Sequence, residues 1–168
     1  MNPMQEIKVE KVTLNVGAGK DSKLLEKGMS VIQSLTGTAP VKTITQKRIP
    51  GWGLRPGLPI GCKLTLRGEQ AQKLIPRLLV AKDKQLGTKN FDEAGNISFG
   101  IPEYIDIEGA EYDPKIGIIG LQACITLSRP GYRVKNRKIR PQKIKKQRIK
   151  KEDAMAFMKD TFKIKVEE

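Results

Sequence analysis

From Ile7 to Val16 the chain reads Ile7-Lys8-Val9-Glu10-Lys11-Val12-Thr13-Leu14-Asn15-Val16, apolar and polar by turns, the two-residue period of a strand with one buried face. The phase slips at Glu10-Lys11, and a β-bulge accounts for the slip. After Gly17-Ala18-Gly19 the period changes. Leu25, Met29 and Ile32, with Leu24, Val31 and Leu35, fall on helical spacing; Asp21 or Ser22 supplies the N-cap and Gly37 the stop. Val41 to Thr45 is short and β-branched and predicts a second strand. Ile60 to Arg67 alternates again, with Cys62, Leu64 and Leu66 on one side and Lys63, Thr65 and Arg67 on the other.

Between these strands the stretch from Gln46 to Gly57 is too rich in Gly and Pro for regular structure and predicts a long loop. Residues 69 to 82 return to helical spacing through Ala71, Leu74, Ile75, Leu78 and Leu79, with Pro76 expected to kink or split the helix. From Asn90 to Pro114 there are seven acidic residues and no Lys or Arg. This reads as an acidic arm, with a turn at Ala94-Gly95-Asn96 and strand-like pieces at Ile97 to Phe99 and Tyr104 to Ile107. Leu121 to Ser128 alternates once more, with Leu121, Ala123, Ile125 and Leu127 inward. A last helix is expected over about Lys151 to Lys159, and Lys163 to Val166 is expected to return to the sheet edge.

Strands with one apolar face, mixed with amphipathic helices, predict an α+β fold: a two-layer sandwich, mainly antiparallel, with helices on one face of the sheet. The other face is then bare. Its outward side chains are Lys11, Thr13, Asn15, Lys63, Thr65, Arg67, Gln122 and Thr126, hydrogen-bonding groups and cations without an acid among them. The whole chain, 1–168, reads as a single RNA-binding domain with two extensions, a loop at 46–60 and a basic segment at 129–151.

Charge decides what kind of partner that face meets. Lys and Arg number 32 against 18 Asp and Glu, a net +14, more than solubility asks of so small a domain. Residues 129–151 hold 12 of those cations in 23 positions with no acid, so the stretch repels itself without counterions. RNA, DNA and an anionic membrane are all polyanions. No apolar run approaches the roughly 20 residues of a membrane span, and Met1-Asn2-Pro3-Met4 lacks the layout of a signal peptide, so a soluble intracellular protein is expected. No helix shows the basic reading face that a DNA regulator needs.

Histidine is absent, which removes the usual general base and the commonest metal ligand. An enzyme acting on RNA through a carboxylate pair is the rival reading, kept open by the acids of the arm. Asp106, Glu108, Glu111 and Asp113 lie close together, but their spacing matches no calcium loop, and a solvated loop or a contact with a basic protein fits better. Gly17-Ala18-Gly19-Lys20 fails as a nucleotide motif, because Ser22 stands where a dinucleotide fingerprint needs Gly, and Leu14 and Asp21 break a phosphate loop. Cys62 and Cys124 are expected to be buried small residues. No metal, cofactor or small-molecule substrate is called for.

Trp52 is the informative aromatic. It sits beside Lys47, Arg48 and Arg55 in a loop short of apolar neighbours, where an exposed indole can stack on an unpaired base. The alternative is that it folds back as a lid over the sheet.

The order of several segments carries a resemblance. Glu10-Lys11-Val12-Thr13-Leu14-Asn15-Val16-Gly17, Leu35-Thr36-Gly37-Thr38-Ala39-Pro40-Val41, Leu54-Arg55-Pro56-Gly57-Leu58-Pro59-Ile60-Gly61 and Leu64-Thr65-Leu66-Arg67 follow one another as in large-subunit ribosomal protein L-five. So do Ser98-Phe99-Gly100-Ile101, Tyr112-Asp113-Pro114-Lys115-Ile116-Gly117 and Arg129-Pro130-Gly131-Tyr132-Arg133-Val134. The match spans nearly the whole chain, and the basic segment after Tyr132 resembles the archaeal and eukaryotic branch.

The resemblance implies a ribosome-bound, cytoplasmic protein of the central protuberance. Such a protein binds 5S rRNA, attaches it to the large-subunit rRNA, contacts the P-site tRNA and bridges to small-subunit protein S-thirteen. Carried over by position, the 5S-binding face includes Asn15, Thr38, Trp52 and Thr65. Thr38 stands where Gln is usual in bacteria, and Trp52 where Phe is common. The loop at 46–60, with Arg55 as its phosphate contact, is the implied tRNA-facing element. Arg133, Lys135, Arg137, Lys138 and Arg140 complete the set of expected RNA contacts.

Overall fold

The structure, a computed structural model, describes residues 2–143 and 147–167. In chain order its main elements are β1 (Lys8–Gly17), α1 (Ser22–Thr36), β2 (Val41–Ile44), β3 (Pro59–Leu66), α2 (Gly68–Val80) and β4 (Gln85–Gly87). There follow β5 (Asn96–Ile101), β6 (Leu121–Ser128), α3 (Arg133–Asn136), α4 (Lys151–Phe162) and β7 (Lys165–Glu167).

The first strand is the centre of a five-stranded sheet of order β2-β3-β1-β6-β5, and every ladder in it is antiparallel. The bulge expected at Glu10-Lys11 is present: the register against β6 shifts between Val9 and Lys11. Val12, Leu14 and Val16 therefore stay on the same side as Leu64, Ile125 and Leu127, and all are buried. Over this side lie α1, packed on β3 and β1, and α2, packed on β1. Both helices bury one stripe, Leu25, Val31, Ile32 and Leu35 from α1 and Ala71, Leu74, Ile75, Leu78 and Leu79 from α2. Gly28 lets α1 come close, since a Cβ there would lie 2.9 Å from Cγ1 of Val16. Asp21 is the N-cap of α1, its carboxylate accepting from the backbone of Lys23 at 2.8 Å, and Gly37 ends the helix in the left-handed conformation.

Several expectations need correcting. Pro76 does not divide α2, which runs unbroken from Gly68 to Val80. Gln72, whose carbonyl loses its i+4 donor to the proline, lies on the exposed face of the helix, where water can serve it. Tyr104 to Ile107 is not a strand: Tyr104–Asp106 forms a 3-10 turn, and Tyr104 and Ile107, three apart, are both buried. The Tyr104 hydroxyl accepts from the backbone of Asp113 at 3.1 Å, which fastens the acidic stretch to the core. The acidic stretch does carry the strand expected at Ile97 to Phe99, inside β5, the edge strand of the main sheet, and Asp92 ties its entry turn through the backbone of Ala94 and Asn96.

The chain after α4 does not rejoin the main sheet. Lys163 takes a left-handed conformation, Lys165 donates to the carbonyl of Lys84 at 2.8 Å, and β7 pairs in parallel with β4 as a separate two-stranded sheet. Finally, Cys62 is buried as expected, but Cys124 is exposed. Its apolar neighbours in sequence point inward, whereas its own place in the alternation is outward, between Gln122 and Thr126. Burial pushes the Cys62 thiol above its ordinary pKa of 9.0.

Candidate nucleic-acid interface

Strand register lays the outward side chains of the sheet in rows. Val41, Lys63, Asn15, Gln122 and Gly100 stand side by side across all five strands. Thr65, Thr13, Cys124 and Ser98 form the next row, and Lys11, Thr126 and Asn96 the third. Among the described residues no helix covers them: Lys63, Thr65, Gln122, Cys124 and Ser98 are exposed, and Lys11, Thr13 and Asn15 are half-buried. The Asn15 amide donates to the Gln122 side-chain oxygen at 3.2 Å. These rows carry amides, hydroxyls and two lysines, with no carboxylate, a surface matched to phosphate, ribose and base edges rather than to a cationic partner. Arg67 continues past the end of β3 and is exposed. Thr38 is exposed in the turn between α1 and β2, where its backbone donates to the Thr36 hydroxyl at 3.3 Å; it lies at the β2 edge and not within the rows.

The loop at 46–60 is more ordered than its Gly and Pro content predicts. Ile49 and Leu54 pair as a two-residue bridge, a 3-10 turn at Pro50–Trp52 closes it, and Thr45 exchanges backbone hydrogen bonds with Gly57 and Leu58. Leu54 takes the inward position, which leaves Trp52 at 68% exposure. The lid reading therefore fails. Lys47, Arg48 and Arg55, in the same loop, are exposed too. Lys20, in sequence only the last residue of a failed nucleotide motif, lies against Gly53, where a Cβ would overlap its Cε and Nζ. Only the fold brings that lysine to the loop, because Ala18 and Gly19 both donate to the carbonyl of Ile60.

The basic segment divides into structural and exposed cations. Arg129 turns inward to Asp153, 3.1 Å away, and the same carboxylate accepts from the backbone of Lys150 at the start of α4. Tyr132 pins the returning chain, its hydroxyl donating to Gln147 at 2.8 Å and accepting from Ile149 at 3.0 Å, and Ile149 is fully buried. Arg133, Lys135, Arg137, Lys138 and Arg140 are all exposed, and none of the five forms an ion pair among the described residues. Lys145 and Lys146 lie outside the described residues. The segment leaves the sheet after Ser128, which pairs with Lys8, whereas the Trp52 loop joins strands at the other end, where Gly17 pairs with Gly61. The open face is thus flanked by cations at one end and by an exposed aromatic with cations at the other, about 30 Å apart along β1.

Comparison with known proteins supplies the family. A family model described as ribosomal protein L5 matches residues 2–55, and a second, described as the C-terminus of the same ribosomal family, matches residues 59–165. The chain belongs to the ribosomal protein L5 family. The large ribosomal subunit protein uL5 of Nanoarchaeum equitans is 50% identical over 140 residues, covering 83% of this chain and 82% of that one. That of Sulfurisphaera tokodaii is 43% identical over 170 residues, covering 100% of this chain and 96% of its own. That of Methanosphaera stadtmanae is 41% identical over 168 residues, 99% and 100% of the two chains. The L5 chain described here is of the archaeal type, and its role is a structural one on the ribosome, in the cytoplasm, and not enzymatic.

Proposed function

We propose that this L5 protein grips 5S rRNA with its open sheet face and attaches it to large-subunit rRNA in the central protuberance. The observation that carries the reading is the acid-free grid of Lys11, Thr13, Asn15, Lys63 and Thr65, uncovered by any helix, beside a loop that holds Trp52 out in solvent. Recognition works through shape, phosphates and ribose hydroxyls, with base contact confined to stacking on Trp52 and a few amides. Arg67, Arg133, Lys135, Arg137, Lys138 and Arg140 supply phosphate contacts at the far end, and Thr38 a polar contact at the β2 edge. Lys47, Arg48 and Arg55 make the loop at 46–60 the element that approaches the P-site tRNA. The family resemblance adds a bridge to small-subunit protein S-thirteen, for which an acidic surface from 103 to 113 is the complement of a basic partner.

The chain acts as one RNA-binding unit over 1–168. Supporting this, β1, from the part matched by the first family model, sits between β3 and β6, from the part matched by the second. A titration of the full chain with 5S rRNA and with duplex DNA of equal length, at one salt concentration, tests the reading. 5S rRNA is expected to bind the more tightly; equal competition by the DNA, or a folded chain that ignores 5S rRNA at low salt, would overturn it.

A further inference from the structure

The end of the open face nearest the Trp52 loop carries only glycine and proline where a sheet normally carries longer side chains. Beyond the row of Asn15, Gln122 and Gly100, the next outward positions are Gly17 on β1, Gly120 before β6 and Pro102 after β5. Together with Lys82, from the turn after α2, these residues line a shallow trough of about 590 Å³. That volume suits a ligand the size of one nucleotide. The lining carries one cation and no acid among the described residues.

The chemistry of the trough is specific in one respect. Asn15 and Gln122, neighbours on adjacent strands, bond to each other at 3.2 Å, and the pair leaves one carbonyl and at least one N–H without a partner among the described residues. A donor beside an acceptor is what a base edge needs for a two-point contact. Gly17 and Gly100 leave the backbone open at opposite sides of the trough: a Cβ at either would meet nothing within 4 Å, so the space above each is open and would be filled by any side chain. Neither has a left-handed φ, so nothing in the backbone demands glycine there.

We infer that this trough is a binding subsite for a single unpaired nucleotide of the RNA. The nucleotide spans the trough between Gly17 and Gly100, its base edge meets the Asn15–Gln122 amide pair, and Lys82 neutralises its phosphate. The inference rests on the proposed RNA-binding function and adds a site distinct from the stacking surface of Trp52.

The test exploits the absence of any structural need for these glycines. Gly100→Val places a strand-favouring residue in open space, and the folded chain should melt no lower than the parent. Its affinity for 5S rRNA should fall about tenfold, in line with the loss of one hydrogen-bonded base. Hydroxyl-radical footprinting should lose protection at a discrete unpaired position and keep it elsewhere. Ser30→Val, which adds similar bulk on the exposed face of α1 and away from the open sheet face, should bind nearly as the parent does, and Gly17→Ala should repeat the loss from a different strand. Parent-like affinity in folded G100V and G17A, or an equal loss in S30V, would overturn the subsite. A parent chain that fails to bind 5S rRNA at all would instead overturn the RNA-binding reading beneath it.

Discussion

Trp52 is the side chain whose position says most about the protein. At 68% exposure it makes little contribution to the core, so Trp52→Ala should leave the melting temperature nearly unchanged. The same substitution should weaken 5S rRNA binding by roughly 1 to 3 kcal/mol, the value of one base–aromatic stack. Paired melting and binding curves check both halves, and unchanged affinity in a folded variant would count against the stacking role. The two cysteines make the complementary prediction. Cys124 stands in the row with Thr13 and Ser98, so an alkylating reagent should modify it quickly in the free protein and slowly in the complex. Cys62 should stay unmodified in both. Because burial raises the Cys62 pKa, the folded state holds its proton more tightly than the unfolded state does. Its stabilising effect is therefore complete below the ordinary value of 9.0 and is lost as pH rises through the raised one. At this scale the sequence was readable where a residue followed its strand's period, as Thr65 and Asn15 do, and misleading where neighbours set the expectation, as at Cys124. Lys20 left no signal, because only the packing of the Gly17-Ala18-Gly19 turn on Ile60 brings it to the loop.

Among the elements, the basic segment needs the most careful experiment. Deleting it outright would also remove buried Ile149, the Tyr132 staple and the Arg129–Asp153 pair, and so would damage the fold. Neutralising Arg133, Lys135, Arg137, Lys138 and Arg140 to Gln leaves those interactions intact. The slope of log affinity against log salt should then become shallower by about 0.7 to 0.9 for each phosphate that is no longer neutralised. An identical slope would mean that the five cations do not touch phosphates. Within the same segment, Asp153→Ala removes both the partner of Arg129 and the carboxylate that reaches back to Lys150, and should cost about 1 to 2 kcal/mol on a denaturant curve. Long periodic elements were legible: β1 with its bulge, α1 with its caps, β3, β6 and α4 all stand where the hydrophobic pattern puts them. Short pieces were legible only in part: β2 and the Ile97 to Phe99 piece of β5 stand where expected, and β4 does not. Three residues of β4 carry no period, and the parallel pairing of β4 with β7 depends on a left-handed turn at Lys163 that no local signal announces.

Taken whole, the molecule is a strongly cationic body whose charge attracts any polyanion, and charge alone therefore cannot identify the partner. What distinguishes it is the asymmetry of its two layers, with α1 and α2 on one side of the sheet and a polar, acid-free grid on the other. Composition and alternation were enough to anticipate that asymmetry, while the proposal of 5S rRNA as the partner rests on family resemblance. The most direct test places one negative charge on each side. Thr65→Glu puts it within the grid, opposite Thr13, and Gln72→Glu puts it on the exposed face of α2, so both variants change net charge equally. If the open face grips 5S rRNA, T65E should bind it about tenfold or more weakly than the parent, while Q72E should bind it nearly unchanged. Equal losses in the two, or none in either, would contradict it.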